Sequence, residues 1–152
     1  MAVRNSNNER IIIGTWNVRT LLQARVENGA ERSLINLFCI MKCNNINILG
    51  VSETNWRGQG YFQYSIIWEG EPYLYHIFYS GTTTPPGQGS SYGVAIILSD
   101  QVYDWARTIS RLNPAGMEPS YMYNKMAVDL HHLGIQVIQI YAQCMHRKTE
   151  AE

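Results

Sequence analysis

Two short apolar runs, each stopped by a polar cluster, constrain this chain more than any other feature. The first is Ile11-Ile12-Ile13-Gly14-Thr15-Trp16-Asn17, and the second ends in Val51-Ser52-Glu53-Thr54-Asn55-Trp56. Arg10 to Trp16 is β-branched and short enough for a buried strand, and Asn47 to Ser52 reads as a second strand. Between them, Ala30, Leu34, Leu37, Phe38 and Met41 recur at helical spacing, which gives one apolar stripe from Gly29 onward. Asn28 can cap that helix, and Asn44-Asn45 can take the left-handed turn that ends it. Strand, helix and strand in this order form a βαβ-like unit, with both strand tips on one edge of a sheet. Asn17 and Glu53 then stand where α/β folds usually carry their chemistry. An amide oxygen and a carboxylate are hard ligands, suited to magnesium or manganese rather than zinc.

After Gly60 the pattern turns to β. Pro72 to Ser80 alternates as an aromatic-rich strand, and Gly93 to Leu98 is apolar enough for a central one. Ser99 to Ile109 fits either a helical face (Val102, Trp105, Ile109) or a strand. Lys125 to Leu130 and Ile135 to Tyr141, joined across His131-His132-Leu133-Gly134, form a hairpin signal. Gly81 to Tyr92 and Pro114 to Pro119 read as loops. The glycines of the first lack the Gly-Lys-Ser/Thr ending of a phosphate-cradling P-loop. These elements divide the chain into a frayed polar start at 1–9, one domain at 10–142 and a polar tail at 143–152.

A chain of 152 residues with 45% hydrophobic and 16% charged content is an ordinary globule of one domain. No apolar run reaches membrane-spanning length, and Met1 to Arg10 lacks a signal-peptide core, so an intracellular protein, nuclear or cytoplasmic and not secreted, is expected. Cys39, Cys43 and Cys144 form no CxxC pair, which reads as reduced thiols. The formal net charge is zero, which argues against strong general affinity for nucleic acid. Arg4, Arg10, Arg19, Arg25, Arg32 and Arg57 form either a mild positive face on the tip side or a solvated surface.

Thr15-Trp16-Asn17-Val18-Arg19-Thr20-Leu21, Leu49-Gly50-Val51-Ser52-Glu53-Thr54-Asn55-Trp56, Gly58-Gln59-Gly60, Gly93-Val94-Ala95-Ile96-Ile97-Leu98 and Ile138-Gln139-Ile140-Tyr141-Ala142 occur in one order. Together they resemble the endonuclease/exonuclease/phosphatase superfamily. The branch is that of endonucleases encoded by non-LTR retrotransposons and their craniofacial development protein 2-like relatives. The similarity spans residues 11 to 142. It implies an α/β (α+β) fold, the N-terminal half of a two-sheet sandwich, with a mixed β-sheet and helices on one face. The other face, which a second half would cover, is then expected to be bare and open to self-association.

The resemblance further implies a Mg²⁺- or Mn²⁺-dependent phosphodiesterase that nicks DNA. Glu53 would hold the metal, Asn17 and Tyr141 would meet the scissile phosphate, and Trp56, Arg57 and Arg19 would contact nucleic acid. Each has a plainer reading: a loop-bonded surface acid for Glu53, a turn residue for Asn17, a buried strand tyrosine for Tyr141. Trp16, Trp56, Trp68 and Trp105 all read first as packing residues, with Trp56 and Arg57 the better placed to contact nucleic acid by stacking. Arg19 stands where DNA-repair members carry an acid, and Gln143 replaces the usual proline. The Gly-Asp-x-Asn and Ser-Asp-His segments of the second half have no counterpart here. The expectation is therefore a truncated, weakly active or inactive nuclease domain. The alternative is a non-catalytic remnant that binds nucleic acid or protein weakly.

Overall fold

The computed structural model describes residues 1–4, 9–18, 29–81, 93–107, 125–130 and 134–140. Its centre is the predicted strand–helix–strand unit. β2 (Arg10–Asn17) runs parallel to β3 (Ile48–Ser52), and α1 (Gly29–Cys43) makes the crossover. Asn45 ends α1 at φ 52°, the left-handed conformation that asparagine tolerates best among residues with a Cβ. Ahead of them β1 (Ala2–Arg4) pairs antiparallel with β2, so this part of the start is not frayed. The polar composition of 1–9 hid it, because an edge strand needs little apolar content when β2 supplies the pairing groups.

The chain then builds a long hairpin from β4 (Gln59–Trp68) and β5 (Glu71–Ser80), returns as β6 (Val94–Ser99), and turns directly into α2 (Asp100–Arg107). The ambiguous stretch after Ser99 is thus helix. β7 (Lys125–Leu130) and β8 (Ile135–Ile140) form the expected hairpin. The main sheet is mixed and six-stranded, in the order β1-β2-β3-β6-β5-β4, and β7-β8 is a second, two-stranded sheet. The fold is α+β.

Alternation along the strands separates two cores. On one face Leu34, Leu37, Phe38 and Met41 of α1 pack on Leu49, Val51, Ile66, Tyr75, Ile77, Ala95 and Ile97. Phe38 lies stacked between Tyr64 and Tyr75, at centroid distances of 5.2 and 4.8 Å. On the other face Ile11, Ile48, Phe78, Ile96 and Leu98 are covered by Val102 of α2 and by Met126 and Val128 of β7. Two expectations are corrected here. The helices do not share one face, and the face opposite α1 is not bare. The elements that cover it lie in the chain itself, so apolar burial is met without a partner. Exposed large apolar side chains are scattered instead: Ile138 and Ile140 on the outside of the hairpin, Ile67 on β4, Ile35 on α1, Trp16 at the end of β2, and Met1.

α2 is fixed to the sheet by a polar chain. His76 is buried, its Nε2 lies 2.7 Å from Asp100 Oδ1 and its Nδ1 lies 2.7 Å from the Tyr61 hydroxyl. A carboxylate only accepts, so Nε2–H donates to Asp100; Nδ1 pairs with the Tyr61 hydroxyl, whose oxygen accepts from Gln63 Nε2 at 2.9 Å. The Tyr103 ring stacks on the imidazole at 3.6 Å. A histidine in mid-strand is tolerated in the core because both nitrogens are satisfied.

Burial, aided by neighbouring Cys39, Tyr73 and Cys43, pushes the Tyr75 hydroxyl up from 10.0 to about 12. The neutral phenol is therefore the folded form. Below pH 10 its contribution to stability is whole, and it drains away as pH rises from the unfolded value through the folded one, at about 1.4 kcal/mol per unit. Urea midpoints compared at about pH 9 and about pH 11 should fall more steeply in the native chain than in Tyr75→Phe. Parallel falls would remove Tyr75 as the cause.

Candidate metal and phosphate site

The parallel register sets Asn17 opposite Ser52, so β2 and β3 end together, and the Val18 N–H donates to the Ser52 carbonyl at 3.1 Å. One residue on, Glu53 takes φ 61°, a conformation uncommon for a residue with a Cβ. Its side chain meets Asn17 there. Asn17 Nδ2 donates to Glu53 Oε1 at 2.8 Å across a sequence separation of 36. Both predicted ligating residues thus come to one sheet margin, with Asn17 exposed and Glu53 half-buried. The amide, as its hydrogen bond assigns it, steadies one carboxylate oxygen. It acts on the glutamate first and on any bound ion through it.

The segment after Glu53 is held tightly. Thr54 is fully buried and its N–H donates to the Gly93 carbonyl at 3.2 Å, while its Oγ1 accepts the Trp56 N–H at 3.4 Å. Asn55 has φ 56° and Gly58 φ 68°. The Gly81 N–H donates to the Gly58 carbonyl at 2.7 Å. A Cβ on Gly81 would overlap the Trp56 carbonyl oxygen, and one on Gly93 would lie 2.6 Å from Thr54 Oγ1. Two glycines, at the end of β5 and just before β6, therefore let the strap 53–58 lie against the sheet's end. Left-handed residues at Glu53, Asn55 and Gly58 keep it from relaxing into regular structure.

The remaining predicted contacts divide. Trp56 turns inward, edge-on to Phe62 and Tyr79 at 5.4 Å each. It packs rather than presenting a face to a base, because the strap's curvature carries its side chain over the sheet. Trp16, expected to pack, is 42% exposed beside Asn17. Arg57 is exposed on the strap. Arg19 and Tyr141 lie outside the described residues, as do His131, His132 and Cys144. Arg4 and Arg10 pair at the other end of β2 from Asn17, so neither adds charge at the tip.

Gln139 was not foreseen. It is 8% exposed on β8, and its Oε1 accepts from Thr15 Oγ1 at 3.4 Å and lies directly over Gly50. Thr15 shares a face of β2 with Asn17, so a polar stripe runs between the two sheets toward the tip. The available signal was Gly50, since a glycine inside a strand often marks close approach of another group.

Among the described residues, no three of His, Cys, Asp and Glu gather as a metal cluster. A lone carboxylate with an amide beside it does not suit zinc. It does suit magnesium, which keeps several waters and takes one or two protein carboxylates. A cavity of about 500 Å³, lined by Lys42, Asn47, Tyr73, Ser99 and Asp100 among others, lies at the opposite end of the sheet and contains neither Asn17 nor Glu53. No helix among the described residues is long and apolar enough to cross a membrane. Comparison with known protein families, with curated proteins and with solved structures finds no match.

Proposed function

We propose that this chain is a metal-dependent phosphodiesterase domain of the endonuclease/exonuclease/phosphatase type, DNA-directed and of retroelement ancestry, with low activity on its own. The observation that supports this reading most is the 2.8 Å bond between Asn17 and Glu53, two residues that the motif resemblance had paired from distant positions. Glu53 would hold Mg²⁺ or Mn²⁺ through the carboxylate oxygen that Asn17 leaves open. The ion, when bound, would neutralise a phosphodiester oxygen and acidify a water. Asn17 fixes the rotamer of Glu53, and Arg57 offers charge to the next phosphate along a strand. Trp16, being exposed, replaces Trp56 as the aromatic able to stack on a base. Arg19 and Tyr141 keep the roles that the resemblance gives them.

Low activity follows from what this chain lacks. No segment of it carries the acid and histidine of Gly-Asp-x-Asn and Ser-Asp-His, and loss of a positioned base typically costs roughly 10² to 10⁴-fold. The chain should nick supercoiled plasmid slowly in Mg²⁺ or Mn²⁺ and stop on addition of a chelator. Nicking that survives chelation, or none in either metal, would leave the non-catalytic alternative.

A further inference from the structure

We propose that β4 is a self-pairing edge, through which two copies of this chain join antiparallel into one continuous sheet. The sheet has two outer strands, and they differ sharply. β1 has three residues and ends in Arg4, the short, charged kind of edge that resists further pairing. β4 has ten residues, Gln-Gly-Tyr-Phe-Gln-Tyr-Ser-Ile-Ile-Trp, without a charge or a proline. Its register with β5 runs unbroken from Gln59↔Ser80 to Trp68↔Glu71, with no bulge to bend it away. Among the described residues no strand lies beyond it. Among the described residues, the usual protections of an exposed edge are therefore missing along about 30 Å of backbone.

The occupant that fits is a second copy. A strand without charge meets its own mate without like-charge repulsion. Residues opposite one another in an antiparallel pair share a face, so a two-fold axis normal to the sheet, near Gln63 and Tyr64, aligns matching surfaces. Phe62, Tyr64 and Ile66, which face the α1 core, would continue as one aromatic and aliphatic row across both copies. Ile67, 71% exposed in the single chain, would gain cross-strand neighbours on the other face. Such pairing is isologous and uses up the long edge of each copy, so it closes at the dimer. It is independent of the metal site at the strand tips.

Sedimentation equilibrium from roughly 1 to 100 μM, the range where modest interfaces associate, should show monomer passing to dimer. Ser65→Lys with Ile67→Lys should hold the chain monomeric throughout, with unchanged circular dichroism. Amide hydrogen exchange on the native chain gives a second reading that needs no variant: β4 should gain protection as concentration rises. A native chain that stays monomeric overturns the proposal. So does a dimer whose β4 protection is unchanged, a dimer lost on Ile138→Lys with Ile140→Lys instead, or growth into filaments.

Discussion

Glu53→Gln should lower metal-dependent nicking by at least roughly 100-fold, the scale for removing one positioned charge-stabilising group. The substitution keeps the shape of the side chain and removes its charge. A glutamine can still meet Asn17 Nδ2 through its carbonyl oxygen, so the strap should keep its geometry and the melting temperature should hardly move. Mn²⁺ binding, followed by electron paramagnetic resonance, should weaken in parallel. Asn17→Ala should cost less, because it loosens the carboxylate without discharging it. In the Glu53→Gln background it should cost almost nothing more, since a residue that acts through another has no effect once that other is gone. Independent, additive losses would show that Asn17 acts on substrate directly. Undiminished nicking and Mn²⁺ binding in Glu53→Gln would move the site elsewhere.

Gly81→Ala carries the largest structural penalty. The added methyl would overlap the Trp56 carbonyl oxygen and lie 2.5 Å from its carbonyl carbon. Both are backbone atoms, so no rotamer change relieves the clash. Either the end of β5 or the strap must move, and Thr54, the fully buried residue of the strap, resists. A loss of at least about 3 kcal/mol is expected, the upper part of the range for overpacking, which for this chain length is roughly 6–12 °C in Tm. Gly58→Ala makes a fair comparison. Its φ of 68° strains an alanine, but nothing lies within 4 Å of the added atom. It should cost about 1 kcal/mol. Equal losses at the two positions would mean that φ strain, not the close approach of the strap, dominates. Because the strap begins at Glu53, Gly81→Ala should also weaken metal binding beyond what its effect on folding explains.

The pairing of Asn17 with Glu53 is legible in the sequence. Two apolar runs that stop at polar residues, with one helical period between them, leave few ways to connect short strands, and the right-handed parallel crossover puts their ends together. The hairpin of β7 and β8 was legible for a similar local reason, as was the turn at Asn45. The residue types at the tips also set which class of ion would suit the proposed site, since hardness is a property of the donor atoms and not of their placement.

What the sequence left open depended on contacts distant in the chain. Trp16 and Trp56 each follow an apolar run, and nothing local says which ring turns inward. The close fit of Gly81 and Gly93 against the strap decides it, by carrying Trp56 onto Phe62 and Tyr79. Gln139 reads as one of two glutamines in an otherwise apolar strand until the second sheet settles over Gly50. Likewise the covered face opposite α1 and the place of β4 at the edge of the sheet among the described residues are properties of strand order, and strand order is set by which surfaces bury each other across the whole chain. Local pattern determined the elements and the residue types at their ends; packing between the two layers determined which of those side chains remain exposed.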